Sequence, residues 1–151
     1  MTSPLPRVRR AARILLLDDR DQLLLFRYVL AGRAPFWCGP GGECDPDEDF
    51  PAAAVRELHE ETGLRISDCG PELARREAHF ATLAGEWVHS DERFFLVRTE
   101  PFTVDHSGHT DDERAAQMTH RWFTRAELTA WAEQIFPEDL PALLHQLAPP
   151  R

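Results

Sequence analysis

The residues Arg56, Glu57, Glu60 and Glu61 stand in one short stretch, RELHEE, with Glu48 eight positions before Arg56. At about 100° per helical residue, Glu57, Glu60 and Glu61 share one arc, and Ala54, Val55, Leu58 and Thr62 fill the arc beside it. The acids therefore run along the margin of the stripe that a core would bury, not opposite it. Like charges at i,i+4 cost about 0.2–0.5 kcal/mol per pair even in water, and more when water is removed. Arg56 can pair with Glu60 one turn on, but it cannot neutralise three carboxylates. A solvated acidic face is the plain reading of such a cluster. A hard divalent cation is the chemical one, since Mg²⁺ and Mn²⁺ take oxygen ligands and side chains at i, i+3 and i+4 converge on one point.

The flanks favour the cation. Gly39, Gly41 and Gly42 surround Pro40 just upstream, a sequence expected to form a tight turn without regular structure where backbone can approach a ligand. Residues 49–62 are expected to be helical, with Asp49 as N-cap, Pro51 in the first turn and Gly63 just past the end. ARILLL (12–17) and QLLLFRYV (22–29) are expected to form a hairpin whose second, almost wholly apolar strand is covered on both faces. FWC (36–38) is a short strand, 72–83 and 92–99 are long strands around a polar turn, and 120–123 is another short strand. Residues 100–118 read as a long polar connection. A Thr124–Glu127 capping box opens a helix through TRAELTAWAEQ, and PEDLPALLHQL is a second short helix. Trp122, Phe123, Leu128 and Trp131 are expected in the core.

A chain of 151 residues suits one domain, burying about 68–70% of its unfolded surface. Residues 1–6 are expected to be a loose tail. The net charge of −9 argues against a nucleic-acid polymer or an anionic membrane as partner. ILLL (14–17), although preceded by Arg7, Arg9, Arg10 and Arg13, is too short for a signal peptide or a membrane span, and a cytoplasmic protein is expected. Cys38, Cys44 and Cys69 form no CxxC pair, so reduced thiols are expected.

The glutamate stretch and its flanks resemble the Nudix (MutT-like) hydrolases, whose box is G-x5-E-x7-R-E-U-x-E-E-x-G-U, with U a bulky aliphatic residue. Gly42, Glu48, Arg56, Glu57, Leu58, Glu60, Glu61, Gly63 and Leu64 occupy every specified position. The preceding Pro40–Gly42 and the later RWF-x-x-x-EL (Arg121–Leu128) are similar to further family features. The resemblance implies an α/β (α+β) fold, a mixed β-sheet sandwiched between helices with a loop-helix-loop catalytic motif. It implies hydrolysis of a nucleoside diphosphate linked to another group, with Mg²⁺ or Mn²⁺ held by Glu57, Glu60, Glu61 and the Gly41 carbonyl. Arg56 would hold Glu57, and Glu48 would join that network. The general base would be Glu57 or Glu60, with Glu113 as the outside candidate. For the substrate, Trp37 is a candidate to stack on a base, Arg27 and Arg33 to meet phosphate, and Gly42 to allow close approach. Blander readings are core packing for Trp37, surface positions for the arginines and a solvated loop acid for Glu113. His106 and His109, with Asp105 and Asp111 nearby, can be read as a second metal site, but a flexible polar loop explains them with fewer assumptions. No subclass mark is present: Phe80 and Ala81 stand where family members acting on ADP-ribose or diadenosine polyphosphates often carry proline or tyrosine. The resemblance implies a small nucleotide as partner; family members are often homodimers, so a homodimer is possible, but the residues do not give the oligomeric state. The alternative is a Nudix-fold nucleotide sensor that does not turn its ligand over.

Overall fold

The apolar run of the second strand explains the centre of the structure. In the computed structural model, which describes residues 5–150, β1 (Arg7–Leu17) and β2 (Leu23–Tyr28) are antiparallel neighbours. Side chains of a strand alternate between faces. Leu24, Phe26 and Tyr28 therefore enter one core and Leu23 and Leu25 another. β3 (Phe36–Cys38), β4 (Gly41–Glu43), β5 (Ala74–Ala81), β6 (Trp87–Arg98), β7 (Thr119–Phe123) and β8 (Gln134–Phe136) complete an eight-stranded sheet. The order is β5-β6-β1-β2-β3-β8, with β4 also on β1 and β7 also on β2. β1 runs parallel to β6 and β3 parallel to β8, and the other pairs are antiparallel.

Helices cover both faces. α1 (Phe50–Thr62) lays Ala53, Ala54 and Leu58 on Ala12, Ile14 and Phe95. On the other face Leu128 of α3 (Arg125–Ala130) and Leu140, Leu143 and Leu144 of α4 (Leu140–Leu147) pack on Leu15, Leu17 and Phe94. Phe123 and Leu128 are buried as expected, while Trp122 and Trp131 are half-buried at the edges of the two cores. A short α2 (Asp111–Ala115) interrupts the long connection between β6 and β7.

Several expectations are corrected. The glycine segment is not free of regular structure: Gly41–Glu43 pairs with Ala11–Arg13 of β1. Only glycine permits this, since Gly41 has φ +145° and a Cβ there would lie 2.1 Å from the Ala12 carbonyl oxygen. β1 begins at Arg7 and β6 at Trp87, five residues earlier than their apolar runs imply. The added stretch of β1 is polar because ion pairs line it, Arg7 with Glu43 and Glu86, and Arg9 with Glu43 and Glu92. The helix opened by Thr124 stops at Ala130, and Gln134–Phe136 becomes β8 on β3. Of the expected N-terminal tail, residues 1–4 lie outside the described residues, and Leu5 is almost fully exposed. Among the described residues no helix is long and apolar enough to cross a membrane.

Candidate active site

α1 is placed by its ends. Asp49 caps it by accepting the Ala52 N–H at 2.8 Å, Pro51 sits in the first turn, and Gly63 closes it at φ +80°. Its face against the sheet then carries Ala54, Leu58 and Glu61 at spacings of four and three. Glu61 is consequently fully buried, not merely at the margin of the stripe. Glu57 is largely buried and Glu60 remains partly exposed.

Arg56 gathers the rest. Its Nε and one terminal nitrogen grip Glu48 bidentately at 2.9 and 2.7 Å. The other terminal nitrogen donates to Glu57 at 3.0 Å and to Glu60 at 3.2 Å, and the Glu43 carbonyl takes a further bond at 3.0 Å. This planar fork lowers the Glu48 carboxyl from the usual carboxylate range, aided by the Asp45 N–H. Gly42 packs against the same cluster: a Cβ there would fall 2.7 Å from the Glu57 carboxylate. Gly41 donates its N–H to Glu61 Oε1 at 3.2 Å. The structure thus brings Glu48, Arg56, Glu57, Glu60, Glu61, Gly41 and Gly42 together.

Glu61 carries the unresolved charge. Its Oε2 is buried without a hydrogen-bond partner. Burial, then the charge of Glu57 and that of Glu113, push its carboxyl well above the ordinary range, and burial raises Glu57 as well. An orphaned carboxylate oxygen in an acidic pair is the donor set that a hard cation completes. Glu57, Glu60 and Glu61 fit such an ion chemically. They are not a preformed cage, because Glu60 is turned onto Arg56 and, among the described residues, no three His, Cys, Asp or Glu side chains stand in ion-holding geometry.

The raised carboxyl has a measurable consequence. With a raised folded-state pKa, Glu61 keeps a proton that the unfolded chain releases above about 4.5, so stability present at low pH is lost as pH rises from that value. Without metal, the melting temperature is expected to fall as pH rises above 4.5, the ordinary value from which Glu61 is raised. If the ionised pair holds a divalent cation, Mn²⁺ should reverse the fall. Glu61→Gln should weaken both effects, leaving the smaller part due to Glu57, and a wild-type pH slope in that variant would refute the assignment.

Other expected residues lie elsewhere. Trp37 is buried on the face away from α1, edge-on to Phe123 at 5.0 Å and Trp131 at 5.8 Å. Its indole N–H donates to Glu133 at 2.8 Å, and Arg27 clasps the same carboxylate at 3.0 and 2.8 Å. Those bonds, Arg27 first, pull Glu133 down to about 2. The structure therefore gives Trp37 and Arg27 a shared partner far from the glutamates in sequence. Arg33 is exposed and stacks on Phe36 at 4.1 Å. Glu113 accepts the Thr110 N–H at 2.9 Å in the capping box that starts α2. It is near enough to Glu61 and Tyr28 for its charge to act on both.

Arg13, Tyr28 and Cys38 were not anticipated, and they surround Glu61 electrostatically. Burial opposes the charge of Arg13, yet nearby acidic groups, Glu92 foremost, more than restore it. Burial pushes Cys38 up to about 11. In the sequence Arg13 is simply the last arginine of a basic flank, so no local signal marks it.

A mixed sheet between helices, with a glutamate-bearing helix entered from a glycine strand, defines a Nudix-type architecture. The chain belongs to the Nudix hydrolase family: the model of the NUDIX domain matches residues 7–145. It is 33% identical over 91 residues to the human "Nucleoside diphosphate-linked moiety X motif 6", covering 60% of this chain and 24% of that protein. It is 43% identical over 58 residues to the "Putative 8-oxo-dGTP diphosphatase" of Bacillus subtilis (strain 168), covering 38% of this chain and 37% of the relative. The chain thus spans well under half the length of these two relatives. Among solved structures, the MutT protein from Methanosarcina mazei Go1 superposes with a TM-score of 0.65 at 16% identity, covering 96% of each chain. A C. elegans Ap4A hydrolase binary complex gives 0.62 at 17% identity, covering 91% of this chain and 93% of the other. At such identities these likenesses speak for the fold.

Proposed function

We propose that the chain hydrolyses a phosphoanhydride in a nucleoside diphosphate linked to another group, using Mg²⁺ or Mn²⁺ held by Glu57, Glu60, Glu61 and the Gly41 carbonyl. The observation that carries this reading is the partnerless, fully buried Oε2 of Glu61 beside Glu57. A divalent cation bound there would offset the charge of substrate phosphates and lower the pKa of bound water. Arg56 holds Glu57 and Glu48 through its fork and keeps the carboxylates oriented. Glu57, its pKa raised by burial, is suited to take a proton from the attacking water. Glu60 is the second choice as base, and Glu113, engaged in its helix cap, the third. Gly42 keeps a side chain away from the Glu57 carboxylate and Gly41 lets the strand approach β1, leaving backbone to face the phosphates. Arg33, exposed and stacked on Phe36, is a phosphate candidate. Trp37 and Arg27, joined through Glu133, are better explained as packing. The charge balance and the absence of a membrane-length helix among the described residues are consistent with a cytoplasmic enzyme acting on a small nucleotide.

The test is a substrate panel with Mg²⁺ or Mn²⁺: nucleoside triphosphates, including the oxidised dGTP named for the Bacillus relative, ADP-ribose, dinucleotide polyphosphates and nucleotide sugars. Release of phosphate or pyrophosphate, abolished by chelation, is expected for at least one class. A nucleotide that raises the melting temperature while remaining intact would instead identify a sensor.

A further inference from the structure

The last four carbonyls of an α-helix have no partner inside it. In α1 they belong to His59, Glu60, Glu61 and Thr62, two of which are proposed metal ligands. The His59 carbonyl receives the Gly63 N–H at 2.8 Å. The other three all face one remote segment, residues 105–109. Asp105 donates its N–H to the Thr62 carbonyl at 2.9 Å. Gly108 lies so close to the Glu60 carbonyl that a Cβ would come within 2.4 Å of its oxygen. His109 Nε2 lies 2.9 Å from the Glu61 carbonyl oxygen. A carbonyl oxygen only accepts, so the His109 proton is assigned to Nε2.

The segment is built to hold that ring still. The Ser107 N–H donates to Asp105 Oδ1 at 2.9 Å, and the His109 N–H to the His106 carbonyl at 3.2 Å. Arg114 donates to the His109 carbonyl at 2.6 Å. The imidazole is buried, edge-on to Phe26 at 5.8 Å and beside His106 at 4.6 Å. On the helix side Gly63 is equally close, since a Cβ there would lie 2.8 Å from Asp105 Cβ. Glu61 is therefore fixed twice, through its side chain by Gly41 and through its backbone by His109.

We propose that His109 is a positioning residue: its bond to the Glu61 carbonyl sets the seating of the last turn of α1, and with it where the Glu60 and Glu61 carboxylates stand relative to Glu57 and Gly41. The same segment leads directly into the Thr110 cap of α2, so it also ties Glu113 to the glutamate helix. The idea rests on the metal-dependent reading above, yet the helix seating can be tested without turnover.

The experiment compares His109→Leu, which keeps bulk but loses the donor, with His109→Gln, whose amide can still donate. Amide hydrogen exchange and Mn²⁺ titration by the free-ion paramagnetic signal are measured on each, with Leu143→Ala in α4 as a destabilised control on the other face of the sheet. In His109→Leu, exchange at Gly63 and Leu64 should quicken about tenfold while Ala53 and Ala54 are unchanged, and half-saturating Mn²⁺ should rise about tenfold, as when the group orienting a metal ligand is lost. On a substrate found by the panel, kcat should fall by a similar factor with KM within about twofold of wild type. His109→Gln should recover most of each effect. Unchanged exchange and Mn²⁺ binding in His109→Leu would overturn the proposal, as would equal impairment of His109→Gln or an equal Mn²⁺ shift in Leu143→Ala. A wild-type protein that hydrolyses nothing would instead sink the hydrolase reading and leave the exchange data to judge the clamp.

Discussion

Glu57→Gln is expected to lower kcat by about 10³-fold, within the range of 10²–10⁴ that a positioned general base contributes. Measured at saturating Mn²⁺, which offsets the weakened metal ligand, the substitution changes little else. Glutamine is nearly isosteric, its amide oxygen can still accept the bond that Arg56 gives to Glu57 at 3.0 Å, and the fork onto Glu48 does not involve the altered group. The loss therefore reports the missing negative charge and proton acceptor, not a collapsed helix. Removing one charge also relieves Glu61, whose carboxyl Glu57 pushes upward, so the variant should melt no lower than wild type. KM for the nucleotide should move little, because phosphate binding is not assigned to this oxygen. Glu60→Gln should cost less, about tenfold, since Glu60 is more exposed and meets Arg56 only at 3.2–3.3 Å. Steady-state kinetics and melting curves on the two variants decide the matter. Unchanged turnover in both would remove these carboxylates from the mechanism.

The glutamate helix was readable because everything that defines it is local. Its cap, its apolar spacing and its closing glycine fall within Asp49–Gly63, and the helical period places the acids beside the buried stripe. What the period could not supply was depth. Glu61 follows Ala54 and Leu58 into full burial only because the glycine strand β4 packs beside α1, and a three-residue strand has no alternation to detect. β8 escaped notice for the same reason. Trp37 shows a different failure. Its nearness in sequence to the glycine strand suggested nearness to the ligand, yet strand alternation sends it away from Phe36 and Cys38 to the far face. Its partner Glu133 lies 96 residues along the chain, and that of Arg27 lies 106. His109 likewise meets α1 across 48 residues, and the sequence offered it only as part of a possible second metal site with His106, which a flexible polar loop explained more simply. Such contacts come from the closing of the sheet and its loops, and no window of the sequence contains both partners.

Arg56→Met should destabilise the metal-free protein by about 2 kcal/mol, between the 0–1 kcal/mol of an exposed ion pair and the 3–5 kcal/mol of a broken buried one. The intermediate figure follows from burial: the Arg56 side chain is 28% exposed, while Glu48 and Glu57 are 15% and 13% exposed. Methionine preserves much of the stem's packing but leaves Glu48, Glu57 and Glu60 without their shared cation and strips the Glu43 carbonyl of its donor. For a domain of this size the melting temperature should drop by about 4–8 °C at neutral pH. Acid should narrow that gap. The pairing with Arg56 depresses Glu48, so its contribution is present above the ordinary 4.5 and disappears as pH falls through the lowered value. Arg56→Lys should recover only part of the loss, because an ammonium cannot span both oxygens of Glu48 while reaching Glu57. Mn²⁺ should close more of the gap than Arg56→Lys does if a cation and Arg56 oppose the same repulsion. Turnover in Arg56→Met should nevertheless stay depressed about 10²-fold at saturating Mn²⁺, since the ion can offset the charge of Glu57 without restoring its orientation. A melting temperature within a degree of wild type, or full activity once Mn²⁺ is saturating, would show that the fork does not position Glu57.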